Sequence, residues 1–180
     1  MNLDIMNDLA MHILDIVQNS ISAGAKNIWI EVLVSIARDL LSISVKDDGK
    51  GMTPEMVARV TDPYCTTRTT RKVGLGLPLL RQGAEQAGGS LSIDSTIGVG
   101  TTVKAEYCLS HIDRPPMGDL ANAYVLLLGA NPKINLILHY ITDDNDFSIS
   151  TRELDEALDG LPLNDPQVMK LIYEMVSSNL

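Results

Sequence analysis

The sequence predicts an α+β chain, and three observations carry that expectation. Apolar residues recur at helical spacing early on, at Leu9, Ile13, Ile16, Val17 and Ile21. Two pairs of alternating apolar–polar runs, residues 26–34 with 39–47 and 90–96 with 100–108, read as antiparallel hairpins. Helical segments lie between and beyond these hairpins instead of alternating regularly with single strands. With 45% hydrophobic and 21% charged residues, the 180-residue chain can bury a packed core.

In chain order, residues 5–23 read as a helix ended by Gly24. Its polar residues His12, Asp15 and Asn19 share one face. An amide oxygen at Asn19 can ligate Mg²⁺. A carboxylate one turn earlier, at Asp15, could orient or deprotonate a metal-bound water. The second strand of the first hairpin runs into Asp47-Asp48-Gly49-Lys50-Gly51-Met52. The glycines permit positive φ and close approach of a ligand. A carboxylate fixed at a strand end beside bare backbone suits a purine edge, because it accepts from an exocyclic amine. Thr53 caps a short helix with Pro54 at its first position, running to about residue 61.

Residues 62–73 are hydroxyl-rich and cationic, without apolar periodicity, and read as a loop. Thr66, Thr67, Arg68, Arg71 and Lys72 fall here, and the cations suit a lid that neutralises phosphate oxygens. Cys65 beside them reads as a small polar loop residue. Gly74-Leu75-Gly76-Leu77 opens a helix over 78–87, and the N–H groups of such an opening form an anion site. The second hairpin turns at residues 97–100.

The proline-punctuated stretch at 111–116 is the expected boundary between a domain at 1–110 and a small α+β domain at 111–180. Within the latter, a helix is expected over 119–130, strands over 134–142 and 146–150, a helix capped at Ser150 or Thr151, and a last helix opened by Asp165-Pro166.

A net charge of −9 argues against a nucleic-acid or anionic-membrane partner. Cys65 and Cys108 are too few for a zinc site or disulfide framework. No apolar run reaches membrane-spanning length, and Met1-Asn2-Leu3-Asp4 lacks a signal pattern, so a cytoplasmic setting is expected.

Taken together, Asp15…Asn19, Asp47-x-Gly49-x-Gly51, Gly74-x-Gly76 and Gly98-x-Gly100-Thr101 resemble the GHKL ATPase superfamily of gyrases, heat-shock chaperones, histidine kinases and mismatch-repair ATPases. The stretch from Asp15 to Ala25 and Thr66-Thr67-Arg68 look most like the mismatch-repair form, and residues 74–102 more like a histidine kinase. The resemblance implies a two-layer α/β sandwich with helices on one face of a mixed sheet, and ATP and Mg²⁺ as cofactors. It implies that Asn19 ligates the metal, Asp47 binds the adenine amine, and Gly49, Gly51 and Met52 border the base. Gly74, Leu75, Gly76 and Leu77 would follow the phosphates, and Thr102 would help hold Asp47 and a water at the base.

Two departures qualify what the resemblance implies. Hydrolysing members carry Glu where this chain has Asp15, so ATP binding is better supported than turnover. A histidine kinase also needs a phospho-acceptor hairpin, which the few residues before the first helix do not supply. The resulting expectation is a regulatory ATP-binding protein of the histidine-kinase and anti-sigma-kinase type, an ATPase or protein kinase with slow turnover. It would act on an unidentified protein partner, with a homodimer left open. The alternative is a non-catalytic module that reports nucleotide state.

Overall fold

The computed structural model describes residues 8–60 and 76–180. The described chain runs α1 (Leu9–Ser22), β1 (Asn27–Ser35), β2 (Leu40–Asp47), α2 (Pro54–Val60), α3 (Gly76–Gln86), β3 (Ser90–Thr96) and β4 (Gly100–Cys108). It continues with α4 (Leu120–Ala130), β5 (Asn135–Thr142), β6 (Asp146–Ser150), α5 (Thr151–Leu158) and α6 (Pro166–Ser177). The strands form one six-stranded mixed sheet in the order β3-β4-β2-β1-β5-β6. Among the described strands only the β1–β5 pair is parallel.

Strand alternation explains which face is covered. Ile28, Ile30 and Val32 of β1, Leu41, Ile43 and Val45 of β2, and Val103, Ala105 and Tyr107 of β4 are buried. They meet Leu9, Ile13, Ile16 and Val17 of α1 and Leu80 and Ala84 of α3 in one hydrophobic cluster. The other face carries Trp29, Glu31 and Lys46, all exposed, with the Lys46 ammonium 5.6 Å from the Trp29 ring centre. The expected α+β architecture, with helices against one face of a mixed sheet, is the one observed.

The caps follow the sequence. Asp8 accepts from Met11 N at 2.9 Å to start α1, Ser150 accepts from Glu153 N to start α5, and Asp165 accepts from Gln167 N ahead of Pro166. One start differs: α3 begins at Gly76, not at 78, so Gly76 and Leu77 are helical and buried. Pro78 is tolerated anywhere in the first turn, where its missing N–H has no helical acceptor to lose.

The boundary expected at 110/111 falls within one sheet and one hydrophobic cluster. β5 pairs with β1 from Asn27↔Asn135 to Val34↔Thr142, and Leu136 and Leu138 join the same cluster as Ile28 and Ile30. The helix α4, apolar almost all round, is buried along its length as such a helix must be. Further ties are Leu9 N to Pro116 O at 2.9 Å, and Asp143, which accepts from Ser35 Oγ and Ile36 N at 2.7 Å each. The proline-rich stretch is a connection within one sheet, not a linker between two cores.

Candidate functional site

Asp47 ends β2 on the covered face, next in the alternation after Leu41, Ile43 and Val45, and is only 6% exposed. Its Oδ2 accepts from Ser20 Oγ at 2.7 Å and its Oδ1 from Gly49 N at 2.8 Å. Both oxygens are thus fixed in place while each keeps a lone pair free. Ser20 escapes the motif reading. Its signal is a hydroxyl on the apolar stripe of α1, one turn after Ile16, where a buried polar group must find a partner.

In front of Asp47 lies a cavity of about 250 Å³. Ile16, Met52, Met56, Val60, Leu77 and Val103 supply apolar wall, and Asn19, Ser20, Asp47 and Thr101 the polar points. Apolar walls with a few convergent polar groups suit a heterocyclic ligand. Asn19 is exposed at this cavity, and among the described residues its side-chain amide has no hydrogen-bond partner.

The strand register reassigns one residue. Asp47 pairs with Thr101, whereas Thr102 pairs with Lys46 on the opposite face. Thr101, not Thr102, therefore stands beside the carboxylate, because a shift of one residue along a strand exchanges faces. Thr101 Oγ1 lies 2.8 Å from Ser95 Oγ, which accepts from Met52 N at 2.8 Å. The hairpin β3–β4 thereby holds the Gly51–Met52 backbone at the cavity edge.

Gly51 has φ +68°, and a Cβ there would overlap the carbonyl oxygen of Thr96. Gly51→Ala is therefore expected to cost about 1–2 kcal/mol from left-handed backbone alone, and more from displacing the hairpin. A lower melting temperature together with weaker ATP binding would show it. Gly76 brings α3 against α1: a Cβ at Gly76 would overlap Asp15 Oδ2.

The helix α1 carries a polar pair behind this contact. His12 is buried with Nδ1 unpartnered, and Asp15 Oδ2 is buried and unpartnered too, both among the described residues. Burial holds the Asp15 carboxyl above its ordinary value, with His12 opposing. Burial holds the His12 ring below its ordinary value, with Asp15 and then Asp8 opposing. His139, on the sheet's open face, lies 2.7 Å from Asp146 Oδ1 through its Nε2.

Structure thus brings together Asp15, Asn19, Asp47, Gly49, Gly51, Met52, Gly76 and Leu77. Cys65, Thr66, Thr67, Arg68, Arg71, Lys72, Gly74 and Leu75 lie outside the described residues.

Comparisons with known proteins bear on this arrangement. The family model described as histidine kinase-, DNA gyrase B-, and HSP90-like ATPase matches residues 6–111. The chain is 34% identical over 95 residues to the histidine protein kinase DivJ of Caulobacter vibrioides, covering 51% of this chain and 16% of that protein. An NtrY-like protein of Rickettsia conorii is 29% identical over 108 residues, covering 60% of this chain and 18% of that one. The chain thus spans less than a fifth of the length of these relatives. Among solved structures, the Aquifex aeolicus MutL ATPase domain complexed with ADP aligns at TM-score 0.52 and 14% identity, over 86% of this chain and 70% of that chain. At that identity the likeness speaks for the fold.

Proposed function

Since the chain belongs to the histidine kinase-, DNA gyrase B-, and HSP90-like ATPase family, we propose that the cavity before Asp47 binds the adenine of Mg·ATP and that the protein regulates a protein partner. The observation that carries this reading is the buried Asp47 carboxylate, held by Ser20 and Gly49 at the end of a cavity with apolar walls. It accepts from the adenine 6-amino group, and Met52 and Val103 cover the ring faces. Thr101 supports the base edge through its hydroxyl.

The donors present fit a hard cation. Asn19 offers an unpartnered amide oxygen, and Asp15, one turn away, an unpartnered buried carboxylate oxygen. Among the described residues no group of three His, Cys, Asp or Glu side chains could hold a metal. Asn19 would therefore hold a magnesium ion whose other ligands are phosphate oxygens and waters, and the ion would neutralise phosphate charge. Arg68, Arg71 and Lys72 would add counter-charge at the phosphates.

Magnesium should tighten triphosphate binding, and Asn19→Ala should remove most of that gain. A titration with and without EDTA checks this. Equal responses of parent and variant would exclude Asn19 as ligand. A pull-down with and without a non-hydrolysable ATP analogue tests the partner: nucleotide-dependent capture supports regulation.

Asp15 in place of the longer Glu favours a second reading, in which the protein binds ATP and reports its presence without turning it over. Labelled phosphate on a protein, or free ADP, separates the two.

A further inference from the structure

On the far side of the Ala23–Asn27 segment from the nucleotide cavity lies a second recess, of about 500 Å³. The starts of β1 and β5 and the first turn of α5 form it. We propose that this recess docks an acidic peptide segment of the protein partner. The proposal deepens the regulatory reading by naming the partner's chemistry, and it does not depend on nucleotide being bound.

Charge is the first argument. Lys26, Lys133 and Arg152 line the recess against the carboxylate of Asp155, and with Asp48 bonded to Lys26 N and Asn27 beneath it a surplus of one positive charge remains. The chain as a whole has 23 acidic against 14 basic residues. A cationic recess on an acidic protein selects for an anionic occupant. The first turn of α5, at Thr151 and Arg152, also faces the recess and adds the positive end of the helix dipole, offset in part by the Glu153 carboxylate in the same turn.

The second argument is that the cations stand on a braced floor. Arg152 Nη2 donates to Asn27 Oδ1 at 3.4 Å, and the same oxygen accepts from Asn135 Nδ2 at 3.1 Å. Asn27 is fixed in turn by Asp48, which accepts from its N at 2.9 Å and its Nδ2 at 2.7 Å. Asp48 also accepts from Lys26 N at 2.7 Å. Burial disfavours ionised Asp48, but these hydrogen bonds outweigh it and hold the carboxyl below its ordinary value, so the brace is anionic at neutral pH.

The third argument separates a peptide from a free anion. An acidic peptide brings several linked carboxylates for the three cations, where orthophosphate brings a single anion. The recess also has about twice the volume of the nucleotide cavity, room for several residues.

Fluorescence anisotropy with a labelled hexaglutamate peptide, on the full chain without nucleotide, tests the proposal. The peptide should bind at low ionic strength and weaken as salt is raised. Lys133→Gln with Arg152→Gln should weaken it about tenfold or more. Lys104→Gln with Lys170→Gln removes the same charge elsewhere on the surface and should change it less than twofold. Inorganic phosphate should compete only at a large excess. No binding by the parent, equal loss in the two double variants, or displacement by phosphate at concentrations equal to the peptide would each overturn the proposal. Because nucleotide is absent throughout, failure of ATP binding would show in a separate titration and leave this result standing.

Discussion

Asp47→Ala is expected to weaken ATP binding roughly ten- to a hundredfold while the protein stays folded. The carboxylate is buried, and its two oxygens are already engaged by Ser20 and Gly49. A bound adenine amine facing alanine would be a buried donor with no acceptor, which costs about 1–3 kcal/mol. The same change orphans the Ser20 hydroxyl, so a small loss of stability should accompany it. Asp47→Asn is the sharper variant. It keeps the volume but can turn an NH₂ group towards the amine, and it should bind as weakly as the alanine. Calorimetric titration of both variants, with circular dichroism to confirm folding, decides the matter.

The second large effect concerns Asp15. Its position one turn before Asn19 is where family members that hydrolyse ATP carry Glu, as the sequence resemblance implies. A side chain one methylene shorter falls short of that reach, and a misplacement of about 1 Å can cost ~10²-fold in rate. Slow intrinsic hydrolysis with intact binding is the expected result. Asp15→Glu should raise hydrolysis, since well-placed general-base help is worth about 10²–10⁴-fold. The gain is bounded by packing, because Gly76 lies directly against the present carboxylate. Asp15→Asn should lower what hydrolysis remains and leave affinity nearly unchanged.

Asp15→Asn should also stabilise the nucleotide-free protein at neutral pH. Burial raises the Asp15 pKa above its ordinary 3.8, so the folded state holds this proton to higher pH than the unfolded state. Parent stability therefore falls as pH rises from about 3.8 through the folded pKa, and stays lower above it. The variant escapes this loss. Its advantage in melting temperature should be present at neutral pH and shrink as pH falls towards 3.8. A constant advantage at all pH values would mean that the ionised carboxylate carries no penalty here.

How much was legible in advance follows from range along the chain. Asp47, Gly49 and Gly51 are readable because their geometry is local: a strand end followed by a turn that needs glycine. The helical spacing of Asp15 and Asn19 is local as well. Thr101 was not readable in the same way, since its face depends on a register with β2 more than fifty residues earlier. Ser20 was visible only as a hydroxyl out of place on an apolar stripe. The union of residues 111–180 with the first sheet rests on the β1–β5 pairing, a contact between strands about a hundred residues apart that no local pattern announces. The start of α3 at Gly76 is not legible, because the whole first turn of a helix tolerates proline and Pro78 therefore does not fix the first helical residue.

The central claim is that Asp47 reads the amino group of adenine. The most direct measurement is a calorimetric titration of the parent protein with Mg·ATP and, in parallel, Mg·GTP. Guanine presents a carbonyl oxygen where adenine presents its amine, so Asp47 would face an acceptor instead of a donor. Saturable ATP binding with GTP at least tenfold weaker is the predicted result. Equal affinity for the two nucleotides, or no binding of either, would contradict the account.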